Sequence, residues 1–212
     1  MDSNERSDEP VTTFDQRQQL LLSSAVNVFA DKGFHATSMR EISRESGMSL
    51  AGIYHYVTGK TELLYLIQDR CFSQVIAGAR RAIAGEVTPA DQLRAFIRHH
   101  IEFFAAHMAE MKVLSHEEDE LTGTMRAQVR NQKREYVDLL IALLEQVSPS
   151  GVNRQVAAYA LFGMMNWIYT WYKPTGPVPP DRLSDDLTHL FLNGFLQPTT
   201  QAATQLVATH GG

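Results

Sequence analysis

A chain of 212 residues, 44% hydrophobic and 20% charged, is long enough to bury a real core, which excludes wholesale disorder and any fibrous or low-complexity class. Its one cysteine, Cys71, excludes an intramolecular disulfide and a cysteine-rich zinc cluster; Met1 to Pro10 lacks the basic start and apolar stretch of a secretory signal, and no apolar run reaches the roughly 18 residues of a membrane span, so a cytoplasmic location is expected. The net charge of -5 speaks against indiscriminate coating of nucleic acid, yet residues 16–60 sum to +2 and the acidity gathers at Glu117, Glu118, Asp119 and Glu120.

Apolar residues recur at helical spacing almost throughout, and alternating runs bounded by turn signals are absent, so an all-α fold is expected. The first helix runs from about Gln16 to Lys32, with Leu20, Leu21, Ala25, Val28 and Phe29 on one stripe and Gly33 as its left-handed stop. Ser38-Met39-Arg40-Glu41 spells a capping box that starts a short helix ending at Ser46. Gly47 and Met48 break it, and Ser49 caps another short helix through Tyr56. Two short helices joined by a glycine-containing turn make a helix-turn-helix pattern.

A longer helix is expected from Lys60 to about Ala84, before Gly85 and Pro89, and it links the two halves of the chain. Further helices cover roughly Ala90 to Met108, Thr122 to Val147, Arg154 to Tyr172 and Asp181 to Gly194, with a short piece near Met111 to Glu118. Breaks fall at Ser148-Pro149-Ser150-Gly151 and from Pro174 to Pro180. The domain boundaries that follow are a flexible arm at 1–14, a helix-turn-helix domain at 15–60, a ligand-binding and dimerisation domain at 61–196, and a flexible tail at 197–212.

Gly33, Thr37, Ile42, Gly47, Met48, Ile53-Tyr54, Tyr56, Lys60 and Leu63-Leu64 occur in an order and spacing that resembles the TetR family of bacterial transcriptional repressors, over about residues 16–66 without a gap. Ser43 stands where that family most often has alanine, and Val57 where phenylalanine is commoner. The resemblance implies a three-helix DNA-binding domain on a helical body. It also implies phosphate-positioning roles for Ser38, Arg40, Ser49, Tyr54, Tyr56 and Lys60, chemistry that suits cations, hydroxyls and helix-start donors. For Tyr54, filling the small core is the competing role; for Lys60 and Arg40 it is plain solvation. A helix from Ser49 to Tyr56 has the size to enter a major groove with Leu50, Ala51, Gly52 and His55 facing the bases. Leu50 and Ala51 can meet thymine methyls, Gly52 permits close approach, and His55 is the candidate for a polar base contact.

In the body, Leu93, Phe96, Ile97, Ile101, Phe104 and Met108 form a stripe that also carries His100 and His107, polar groups that need protein or ligand partners. Adjacent His99 and His100 diverge by about 100°, which makes them poor co-ligands for a metal. Arg126, Arg130, Lys133 and Arg134 set cations along one helix face, either solvated or facing a phosphorylated ligand. The stretch from Tyr159 to Tyr172 is apolar nearly all round and must be covered on several sides.

The run Asn166 to Pro174, with Gly176 and Pro177, resembles the C-terminal part of a TetR branch that responds to fatty-acid, steroid and other acyl-CoA effectors. That resemblance implies a CoA thioester, its acyl part among Phe104, Met125, Met164 and Trp167, with His107 and Trp171 alongside and phosphates near the face from Arg126 through Arg130 to Lys133. Plain core packing around an unrelated hydrophobic effector is the alternative. The last two helices, through Phe162, Met165, Leu187, Leu190 and Phe191, are the expected dimer interface.

Altogether the expected protein is a ligand-responsive regulator, a homodimer on a near-palindromic operator, released by a small hydrophobic effector. It has no catalytic constellation, metal spacing or cofactor motif, and so is no enzyme. The alternative is a helical ligand-binding or scaffold protein without operator binding, because the groove face carries so little side chain.

Overall fold

The coordinates are a computed structural model, and residues 13–116, 120–147 and 151–195 are described. The expected arm up to residue 12, the carboxylates Glu117 to Asp119, the turn Ser148 to Ser150 and the expected tail lie outside the described residues. Among the described residues there are nine α-helices and no strand.

Helix α1, Thr13–Lys32, begins three residues before the expected start and buries Leu21, Ala25, Val28 and Phe29. Leu20, expected on the same stripe, is about half exposed; Leu22 and Val26 are inside instead, because the neighbours of α1 cover the side turned one position onward. Gly33 ends α1 at φ 82°, a conformation that glycine alone adopts freely, and its N–H donates to the Phe29 carbonyl at 2.8 Å. The expected capping box is formed. Ser38 Oγ accepts from Glu41 N at 3.3 Å while Glu41 Oε2 accepts from Ser38 N at 2.8 Å, which starts α2, Met39–Ser46. Gly47, at φ 67°, turns the chain into α3, Leu50–Ile53.

The expected continuation of α3 to Tyr56 does not form as α-helix. After Ile53 the bonds tighten to three-residue spacing, His55 N to Gly52 O at 3.3 Å and Tyr56 N to Ile53 O at 2.9 Å. A four-residue helix containing glycine has little propensity to propagate, and Thr58 is already held by Glu62 of the next helix, Oε2 accepting from its N–H and its hydroxyl at 2.6 and 2.7 Å.

Helix α4, Lys60–Ala84, has the expected bounds and runs through one continuous core, which takes in Leu21, Ile42, Ile53, Val57, Leu63 and Leu64 near its start and Val75, Ile76 and Ala79 further along. Helix α5, Pro89–Ala106, runs through the centre of the body against α4, α7 and α9, with Leu93, Phe96, Ile97 and Ile101 fully buried. Its approach to α4 is close because Gly78 has no side chain: the His99 ring occupies that space and bonds the Val75 carbonyl at 3.1 Å.

The break expected between the helix to Met108 and the short piece near Met111 falls earlier, at His107, where φ -128° and ψ 46° turn the chain into α6, Met108–His116. Helix α7, Gly123–Val147, follows. Helix α8 covers Arg154–Asn166, and the expected extension to Tyr172 is replaced by a 3-10 turn at Trp167–Thr170. The Tyr172 hydroxyl donates to the Val178 carbonyl at 3.0 Å, pinning the proline-rich link before α9, Pro180–Phe195. No described helix is long and apolar enough to cross a membrane.

Candidate nucleic-acid interface and ligand cavity

At the tip of the N-terminal module, Arg40, Ala51, Tyr54 and His55 are exposed, and Leu50 and Gly52 are partly so. Tyr54 is 53% exposed, so it does not fill the core. Tyr56 is half-buried and stacks on Phe14 with ring centroids 4.6 Å apart. The hydroxyls of Ser38 and Ser49 both accept backbone N–H groups at helix starts, Ser49 from Gly52 N at 3.0 Å, so each side chain shapes the reading unit before it meets anything else.

Lys60 is different from expectation. Its ammonium donates inward to the carbonyls of Phe34 at 2.6 Å, Thr37 at 2.8 Å and His35 at 3.4 Å, and it lies 4.2 Å from the centre of the Phe34 ring. An ammonium has three N–H donors, and all three are engaged here by the α1–α2 turn. The side chain thus clamps the module together, which differs from the phosphate contact the resemblance implies.

Beside the clamp, Glu41 also accepts from Lys32 Nζ at 2.6 Å. That hydrogen bond, then those from the Ser38 backbone and hydroxyl, lowers the Glu41 carboxyl to about 2. Two links join the module to the body: α1 packs on α4 and α6, and His35 Nε2 meets Glu120 Oε1 at 2.7 Å, just before α7.

A cavity of about 290 Å³ opens in the body. Phe72 of α4, Phe104 of α5, Met111 and Leu114 of α6, Val137 of α7 and Phe162 of α8 give it an apolar wall. Its polar groups are His100, Tyr136, Ser115, Asn166, Tyr159 and the exposed Lys133. His100 Nδ1 is 3.1 Å from the Tyr136 hydroxyl, while its buried Nε2 has no hydrogen-bond partner. Burial lowers the His100 imidazole to about 3, with neighbouring His99 acting in the same direction and hydrogen bonding from the nearby Asn166 side chain against it. It is neutral at ordinary pH.

Of the residues expected at a ligand, Phe104 lines this cavity; Met125, Arg126, Arg130 and Met164 are not on its wall. His107 is turned away: its Nδ1 bonds the Phe103 carbonyl at 2.7 Å, and it borders a separate cleft of about 170 Å³ with Arg70, Cys71 and Glu110. The break at His107 causes this, since it takes the residue off the α5 face. Trp167 and Trp171 are 61% and 55% exposed, because the 3-10 turn swings them outward.

The expected dimer residues also divide. Met165 is fully buried and Phe162, Leu187 and Phe191 are nearly so within the chain, Phe162 being cavity wall; only Leu190, at 64%, is exposed. Val156 and Tyr159, outside the expected dimer set, stand exposed on α8. A three- to four-residue spacing from Val156 through Tyr159, Ala160 and Gly163 to Trp167 was the available signal. His100 and Tyr136 were missed as a pair because 36 residues separate them.

Residues 21–65 match the bacterial regulatory proteins, tetR family, and residues 86–195 match the tetracyclin repressor-like C-terminal domain. The chain belongs to the TetR family. Among its relatives, the transcriptional activator FasR of Mycolicibacterium smegmatis is 29% identical over 66% of this chain and 64% of its own length, so that match spans less than two thirds of FasR. The transcriptional repressor KstR2 of Mycobacterium tuberculosis H37Rv is 21% identical over 84% of this chain and 92% of its own. Among solved structures, AibR in complex with isovaleryl coenzyme A and operator DNA superposes with a TM-score of 0.74 at 30% identity, covering 82% of this chain and 97% of that one. A TetR-family regulator from Bordetella parapertussis 12822 gives 0.79 at 26% identity, covering 84% and 95%. This TetR-family chain is therefore a transcriptional regulator with an N-terminal helix-turn-helix and a helical C-terminal domain.

Proposed function

We propose that the chain works as a homodimer on a near-palindromic operator in the bacterial cytoplasm, and that an apolar effector of the acyl-CoA class, held in the 290 Å³ cavity, releases it from DNA. The observation carrying this reading is continuity: α6 supplies Met111, Leu114 and Ser115 to the cavity wall and packs with its other side on α1 of the reading module. An effector that moves α6 changes the seat of α1, and with it the separation of two reading heads that must match half-sites about 34 to 36 Å apart, or a multiple.

Arg40, Tyr54, Ser38 and Ser49 are exposed groups for phosphate, with half-buried Tyr56 beside them, while His55, Leu50, Ala51 and Gly52 form the groove face. The exposed apolar side chains Val156 on α8, Trp167 in the turn after it and Leu190 on α9 support a partner subunit over this face, since clustered exposed apolar surface marks an interface. AibR, whose complex holds both an acyl-CoA and an operator, supports the effector class.

Fluorescence anisotropy with labelled DNA from upstream of the chain's own gene tests the reading. Tight binding that weakens at least tenfold with a short-chain acyl-CoA, but not with free CoA, is expected. By linkage the same acyl-CoA binds the DNA complex less tightly than the free protein; equal affinities for the two refute effector release.

A further inference from the structure

We infer that the cavity selects its effector by a neutral carbonyl oxygen, which accepts a hydrogen bond from Nε2–H of His100 on the inner wall. This inference rests on the reading of the cavity as the effector site, and it names the group recognised there.

His100 is 1% exposed and reaches the cavity from the centre of α5. Its Nδ1 meets the hydroxyl of Tyr136, itself 4% exposed. Burial pushes that phenol well above its ordinary value, so it keeps its proton. The proton needs an acceptor, and among the described residues His100 Nδ1 is the hydrogen-bond partner of the phenol. Nδ1 therefore accepts, and the imidazole carries its own proton on Nε2, a donor. That Nε2 is buried with no partner in hydrogen-bond geometry, and the Asn166 side chain, near the ring, lines the same cavity. Buried donors in folded proteins are almost always bonded, and an unmet one at the wall of a cavity is a place for a ligand acceptor.

The surroundings narrow the acceptor. His100 lies among Phe104, Phe162 and Tyr136, with ring centroids 4.8, 5.7 and 5.9 Å away. A carbonyl needs only the donor, whereas a ligand hydroxyl seated there also needs an acceptor, which the rings do not offer and which falls to the Asn166 carboxamide on the same wall. The imidazole is uncharged, so an ionised carboxylate entering this wall meets no countercharge, and the cation on the cavity wall, Lys133, is exposed. A thioester, amide, ester or ketone fits, with any anionic portion left outside near Lys133. At about 290 Å³ the space lies at the small end of ligand pockets, which favours short acyl groups.

Calorimetric titration of the full chain with two matched pairs tests the inference: a short acyl-CoA thioester against the S-alkyl thioether with CH2 in place of C=O, and a methyl ketone against the alkene of the same skeleton. About tenfold tighter binding of the carbonyl member is expected in at least one pair, with the preference abolished in His100→Phe and restored in part by His100→Gln. Tyr136→Phe, which frees Nδ1 and mixes the tautomers, reduces the preference and serves if His100→Phe does not fold. Carbonyl preference in the ketone pair, with no binding of either CoA compound, supports the His100 donor and refutes the CoA effector. Equal binding of thioester and thioether, in the absence of a preference in the ketone pair, keeps the CoA effector and overturns the His100 donor. A preference that survives His100→Phe overturns it as well, as does the absence of binding in both pairs.

Discussion

The ammonium of Lys60 sits 4.2 Å from the centre of the Phe34 ring while also donating to the Phe34 carbonyl at 2.6 Å. One side chain at the start of α4 thereby holds the α1–α2 turn across 26 residues of sequence. Lys60→Met is expected to lower unfolding free energy by about 2 kcal/mol, the scale of charge-assisted hydrogen bonds lost from partly buried carbonyls. Urea titration measures it. The salt dependence of DNA binding in this variant should keep its wild-type slope, because the ammonium is turned inward.

Arg40 and His55 are exposed on the other side of the same module. Arg40→Ala should weaken binding to all DNA sequences alike and make the slope of log affinity against log salt shallower by about one unit. His55→Ala should instead flatten discrimination at one base position by about 1 to 3 kcal/mol, read from a panel of single-base operator variants.

Glu41 and His100 give the stability curve different acid limbs, with Glu62 and His99 shifted in the same directions. Glu41 titrates at about 2 in the folded chain against an ordinary 4.5, so its contribution is complete above pH 4.5 and disappears as pH falls towards 2. Glu41→Gln should remove that limb from the difference curve. His100 is held neutral down to about 3 against an ordinary 6.5, so the unfolded chain takes up its proton first and stability declines as pH drops from 6.5 towards 3. His100→Phe should flatten this part, and thermal melts across pH 3 to 7 show whether it does.

Gly78 lies in the middle of a helix, where alanine ordinarily gains up to about 1 kcal/mol. Here a Cβ would collide with Cε1 of His99, whose ring is fastened to the Val75 carbonyl. Gly78→Ala should therefore destabilise the chain by about 1 to 3 kcal/mol. In a His99→Ala background the same change should become neutral or favourable, and a double-mutant cycle by denaturant titration reads the coupling.

For the dimer, Leu190→Asp and Val156→Asp place charge on exposed apolar positions and should yield folded monomers by sedimentation. Met165→Ala, by contrast, deletes a fully buried side chain and should cost about 2 to 5 kcal/mol of protomer stability. A dissociated but undamaged Met165→Ala protein would return that residue to the interface.

Local chemistry made most of the reading module legible. The capping box at Ser38 and Glu41, the stop at Gly33 and the turn at Gly47 are short-range hydrogen-bond and dihedral requirements, and residues a few positions apart settle them. The all-helical class and the long α4 followed from periodicity for the same reason. Which face of a helix is covered depends on what arrives from elsewhere in the chain. Leu20 and Leu190 are exposed and Met165 is buried although all three read as apolar stripe. The break at His107 removed one expected ligand residue, and the 3-10 turn at Trp167 turned another to solvent.

The linear chain determined that a helix-turn-helix would form and roughly where each helix would lie, because caps, glycine stops and 3.6-residue periodicity act between near neighbours. Tertiary packing alone decided that Lys60 faces inward and that His100 and Tyr136 meet across 36 residues with one donor left over at a cavity. A buried hydrogen-bond donor is satisfied or unsatisfied according to which helices surround it, and the spacing of residues along α5 carries no record of that.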